Sequence, residues 1–206
     1  GAKVKLYEMK PYRFSEAHTS EGLAELVCSN SFKAANLENA SGLLKEEMRV
    51  LQGLVISCAD HNTVPAGGAL AVDRSRFSEE ITKKMEMHPD IDVIRQEIRS
   101  VRNLIAENRD CECVIIATGP LTAKDLADEI TEMFGLKRLH FFDAAAPVIL
   151  AESIESEFVF RAARYGKGDA DYINCPMSRE EYFTFYDALI HADCADVKDF
   201  DSIDLY

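Results

Sequence analysis

The stretch ECVIIATG, residues 112–119, constrains the fold of this chain more than any other. It is nearly unbroken apolar sequence of strand length, the pattern of a strand covered on both faces, and such strands belong to parallel sheets flanked by helices. Strand-like and helix-like segments alternate around it. KVKLYE (3–8) is rich in β-formers and predicts a strand that ends in Glu8. Residues 11–24 are mixed and polar and read as a loop. Leu37, Ala40, Leu44, Met48 and Leu51 recur at helical spacing, predicting a helix over 36–52 with Gly53 as its stop. LVISCA (54–59) reads as a strand, and PAGGALAVDR (65–74) as a glycine turn entering a short apolar run. Asp73 is placed to cap a helix running to His88, with Phe77, Ile81 and Met85 on one face. Strands are expected at 91–95, 97–102, 112–117 and 171–175, and at the start of 139–150. Helices are expected over 121–134 and 178–192, the latter with Ser178 and Glu181 in a capping box. This is an α/β pattern. A first domain is expected over 1–135 and part of a second α/β unit over 136–206.

Charge limits the partners. Asp and Glu outnumber Lys and Arg 36 to 23, a formal charge of −13, so the whole surface does not read as a nucleic-acid platform, although a local basic patch is not excluded. The aspartates from Asp193 to Asp204 read as a solvated tail. Apolar runs are short and broken by charge, so no segment reads as a bilayer span. GAKVKLYEMK lacks the apolar core of a signal peptide, and a cytoplasmic protein is expected. The cysteines at 28, 58, 111, 113, 175 and 194 are too scattered for a disulfide scaffold. Cys111 and Cys113 have no second pair or histidine cluster nearby, so no metal site is expected.

Three places could carry chemistry. In ELVCSNS (25–31), Cys28 is followed at once by Ser29, Asn30 and Ser31. Hydroxyl and amide donors are what stabilise a thiolate, the reactive form. A small buried hydrophobe is the other reading of any single cysteine. Glu8, at a strand end, matches the acid that binds ribose hydroxyls in dinucleotide folds, although many strands end in Glu. The glycine-rich loop that should stand about 20 residues upstream of it is missing. Gly119, closing IIATGP, would let backbone approach a ligand closely; its alternative is a strand-to-helix turn with Thr122 as the cap. PAGGAL and YGKG (165–168) lack the spacing of a triphosphate loop. His18, His61 and His140 read as structural or surface residues.

Seven blocks, in order, identify a family: KVKLYEMKP (3–11), ELVCSNS (25–31), GLLKEEMR (42–49), VPAGGALAVDR (64–74), IIATGPL (115–121), FFDAAAP (141–147) and YINCPM (172–177). Together they closely resemble the bacterial folate- and FAD-dependent tRNA (uracil-5-)-methyltransferases, the TrmFO family. The resemblance implies an incomplete Rossmann-like FAD-binding domain with part of an inserted α/β domain. It also implies methylation of carbon 5 of a T-loop uridine in tRNA. Methylenetetrahydrofolate would give the one-carbon unit, and NAD(P)H would reduce the enzyme through FAD. By match to the family's blocks, Cys28 is the nucleophile or proton-transfer group, Glu8 the ribose-binding acid, and Thr118 and Gly119 the strand end beside the flavin.

Two family features lie outside the sequence. The pyrophosphate loop belongs before Lys3, and a second cysteine, in a Gly-Cys-Met-Pro type block, belongs after Tyr206. An interior fragment, inactive alone and with little affinity for FAD, is therefore expected. Two alternatives remain: the related glucose-inhibited-division flavoproteins that modify a wobble uridine, and a catalytically silent α/β interaction domain.

Overall fold

The computed structural model of the chain describes residues 1–119, 121–135, 149–163, 166 and 169–193. In chain order the described elements are β1 (Val4–Glu8), β2 (Ser31–Ala34), α1 (Ala40–Val50), α2 (Leu54–His61), β3 (Thr63–Val64), β4 (Ala69–Val72), α3 (Arg74–Glu86), β5 (Ile91–Arg95), α4 (Val101–Glu107), α5 (Lys124–Phe134), β6 (Phe160–Ala162), β7 (Tyr172–Asn174) and α6 (Arg179–Ile190). They form two compact units, each discontinuous in sequence. One joins Gly1–Asn30 to the described residues of Arg74–Asp143, and the other joins Ser31–Asp73 to those of Ala144–Lys198. Both mix helices and sheets, so the α/β class holds. No helix among the described residues is long and apolar enough to cross a membrane.

In the first unit β1 and β5 pair in parallel, from Val4 opposite Ile91 to Glu8 opposite Arg95. Parallel strands need a crossover, and α3 is part of it, packing on β5. Phe77, Ser78 and Ile81 make the buried face of α3, with Phe77 only 1% exposed. Burying such a side chain contributes roughly 1.5–3 kcal/mol. A smaller cluster of Val101, Leu126 and Ile130 joins α4 to α5.

The second unit has an antiparallel sheet in the order β2-β4-β3, with α2 packed on β4 and α1 on α2 and β2. Ile56, Cys58, Ala59, Leu70, Ala71 and Val72 are buried there. Arg49 of α1 grips Asp60 of α2 with two hydrogen bonds, Nε to Oδ2 at 2.7 Å and Nη2 to Oδ1 at 2.8 Å. Those bonds hold the Asp60 carboxyl below its ordinary value. The antiparallel β6–β7 pair is tied to the turn before β4: the Gly67 amide donates to Asp171, and the Tyr172 hydroxyl to the Ala66 carbonyl. The capping box at Ser178 and Glu181 forms as expected.

Three expected strands are corrected. LVISCA is helical: its buried Ile56, Cys58 and Ala59 share one helix face, and Asp60 on the same helix pairs with Arg49 of α1. A short apolar run does not distinguish strand from helix by periodicity. Residues 97–102 give way to α4 because the Ser100 hydroxyl accepts from the Asn103 amide and caps a helix. The apolar run 112–117 forms no ladder among the described residues, and Ile115 is 82% exposed. Its composition suits a buried strand, but only a hydrogen-bonded neighbour makes one. The cap of α5 is Ala123 rather than Thr122. The expected strand over 139–148, His140, the residues around Gly166 in YGKG and the tail from Cys194 lie outside the described residues.

Candidate functional site

The four residues singled out from the sequence, Glu8, Cys28, Thr118 and Gly119, all belong to the first unit. Glu8 ends β1 on the carboxyl edge of the parallel pair, the edge where ligands of open α/β sheets bind. One of its carboxylate oxygens accepts the Lys10 amide at 3.0 Å. Cys28 is an exposed free thiol. Of its two readings, the buried hydrophobe is therefore excluded; among the described residues the buried cysteine is Cys58.

Thr118 and Gly119 form a separate small knot. The Thr122 hydroxyl donates to the Gly119 carbonyl at 3.0 Å, and Thr118 Oγ1 lies 2.6 Å from Thr122 Oγ1. Thr122 has one proton, so Thr118 is the donor in that pair. Gly119 has φ +74°, in the left-handed region, and a Cβ there would meet nothing within 4 Å. Backbone conformation, not crowding, requires glycine. Among the described residues no hydrogen bond joins this knot to Glu8 or Cys28.

A polar cluster that the sequence reading missed does sit beside Cys28 in the chain. Lys10 is 3% exposed. Its ammonium donates to the Gly22 carbonyl at 2.6 Å and lies 3.5 Å from Glu25. Glu25 in turn accepts the Thr19 amide, the Thr19 hydroxyl and the Ser20 amide, each at 3.0 Å. Burial alone would raise the Glu25 carboxyl; those donors and Lys10 outweigh it and hold it below the ordinary glutamate value. Burial, aided by Lys10, lowers His18, whose Nδ1 is 2.5 Å from the Ser15 hydroxyl. An open groove of about 620 Å³ runs between this turn and α3, lined by Glu21, Glu25, Leu26, Ser75 and Thr82 among others. The only hint of the cluster was Lys10 and Glu25 standing in two of the motif blocks. No group of three or more His, Cys, Asp or Glu that could hold a metal occurs among the described residues.

Comparison with known proteins decides the family. The sequence model described as "Glucose inhibited division protein A" matches residues 1–205. The chain belongs to this family. Within it, the chain is 54% identical over 98% of its length to a protein of Acetivibrio thermocellus named methylenetetrahydrofolate–tRNA-(uracil-5-)-methyltransferase TrmFO. It is 52% identical over 98% of its length to the protein of that name in Desulforamulus reducens. It is 49% identical over all its length to that of Fusobacterium nucleatum. The resemblance read from the seven motif blocks is thus borne out. The chain spans 44% of the first two relatives and 46% of the third. The glucose inhibited division protein A family match also covers both compact units.

Proposed function

We propose that the protein methylates carbon 5 of a T-loop uridine in tRNA, with methylenetetrahydrofolate as one-carbon donor and NAD(P)H as reductant through FAD. It would work in the cytoplasm. The observation that carries this reading is the identity of about half, over nearly the whole chain, to relatives named for that methyl transfer. The wobble-uridine reading shares the family, but the high identity to relatives named for uracil-5 methylation favours the first reading, and a silent interaction domain leaves the exposed Cys28 without a task.

The residues fit a bound dinucleotide. Glu8 stands at the carboxyl end of a parallel strand, with one oxygen held by the Lys10 amide. The open space at Gly119 leaves backbone accessible. In this proposal Glu8 accepts the ribose hydroxyls, while Thr118 and Gly119 line the flavin. FAD, when bound, supplies the redox chemistry. Carbon 5 of uracil is a poor nucleophile until charge is loaded onto the ring. Cys28 would supply that charge by adding as thiolate, or would move a proton at the ring, and would leave unchanged at the end.

The test is the absorbance spectrum of the intact protein, followed by incubation with tRNA, methylenetetrahydrofolate and NAD(P)H. A flavin spectrum and 5-methyluridine in the T-loop are expected. A colourless protein that forms no 5-methyluridine contradicts the proposal.

A further inference from the structure

Two buried lysines are described, and their surroundings differ. Lys45 donates to the carbonyls of Ala34 and Ser41. Lys10 faces a carboxylate, and among the described residues both polar partners of its ammonium, Gly22 and Glu25, belong to one turn, residues 19–25. A buried ammonium is costly unless well partnered, so a turn held this way is held tightly or not at all.

The turn is gripped from two further sides. The Ser78 hydroxyl of α3 donates to the Leu23 carbonyl at 2.7 Å, and the Leu23 amide donates to Thr82 Oγ1 at 2.8 Å. Both backbone groups of Leu23 are therefore taken by one helix. Arg95, at the end of β5, donates to the Glu21 carbonyl at 3.0 Å. Between the clamped Leu23 and the clamped Glu25 lies Ala24, with φ +54°. A residue with a Cβ stays in that left-handed region only when its surroundings over-determine it. The bend sets the direction in which the chain leaves through Leu26 and Val27 to Cys28.

We propose that Lys10 is a positioning residue for Cys28: by locking Gly22 and Glu25 it holds the left-handed bend at Ala24 and so fixes where the thiol stands. The proposal rests on the reading of Cys28 as the reactive group.

The experiment uses the intact protein, unaltered and as Lys10→Met, Lys10→Arg and Thr82→Val. Iodoacetamide labelling of Cys28 is followed by peptide mass against Cys111 and Cys175, exposed thiols in the same sample. The kcat and KM for methyl transfer are measured alongside. Lys10→Met is expected to change the Cys28 labelling rate roughly three-fold or more, leaving Cys111 and Cys175 unchanged. It should lower kcat by roughly ten- to a hundred-fold with little change in KM for tRNA, and Lys10→Arg should recover part of the loss. Thr82→Val, which removes a different clamp on the same turn, should shift both readouts in the same direction by less. Unchanged Cys28 labelling and kcat in a folded Lys10→Met protein would overturn the proposal. If that variant does not fold, unchanged values in Thr82→Val do so. Absence of methyl transfer by the unaltered protein would sink the functional reading instead, and the labelling ratios would still decide the latch.

Discussion

The turn over 19–25, which leads to Cys28, and the run over 112–119, which ends at Gly119, are built in opposite ways. The turn is short, polar and clamped by Lys10, by Ser78 and Thr82 of α3, and by Arg95. The run is apolar, yet Ile115 is 82% exposed and no ladder bonds are described for it. The contrast teaches that polar bonds converging from several elements can fix an irregular turn. Apolar strand sequence is only a capacity, realised when a neighbouring strand takes its amides and carbonyls.

Substitutions can break this contrast, beginning with the seat of the clamp. Phe77→Ala should destabilise the intact protein by about 3–5 kcal/mol in chemical denaturation, because it empties the buried face of α3 that carries Ser78 and Thr82. Ser78→Ala leaves the Leu23 carbonyl without its donor and should cost about 1–3 kcal/mol by the same measurement. Acid should loosen the turn too. The Glu25 carboxyl is held below its usual value, so its stabilisation is complete above the unfolded value near 4.5 and is lost as pH falls through the depressed one. His18 is also lowered; the unfolded chain binds its proton first, so stability declines as pH drops below 6.5. Melting temperatures from pH 7 to 3 should fall, and below 4.5 fall less in Glu25→Gln.

On the other side of the comparison, effects should be small. Gly119→Ala meets no atom within 4 Å and pays only for its φ of +74°, about 1–2 kcal/mol. Ile115→Ser, at an exposed position, should shift stability by less than about 0.5 kcal/mol. A cost as large as that of Phe77→Ala would mean that the run is a packed strand after all.

Much of the fold was legible because its signals were local. The β-rich KVKLYE, the helical spacing of Phe77 and Ile81, and Ser178 with Glu181 all lie within one turn or strand of their consequences. LVISCA was misread because so short an apolar run carries no decisive period, and its helix shows only in packing, with Ile56, Cys58 and Ala59 buried together. The strands at 97–102 and 112–117 failed for related reasons: one yielded to a serine cap, the other had no rung to join. At the candidate site, the positions of Glu8 and Cys28 could be found from motif blocks. The Lys10–Glu25 cluster could not, since fifteen residues of irregular loop separate its members and no period marks the contact.

The central claim is that Cys28, held at the end of this clamped turn, carries the chemistry. Its most direct test is 5-methyluridine formation by the intact protein with Cys28→Ala beside Cys175→Ala, another exposed cysteine. The account predicts that Cys28→Ala loses activity on the order of 10³-fold or more while Cys175→Ala stays within about two-fold of the unaltered protein. Full activity in a folded Cys28→Ala protein would contradict it.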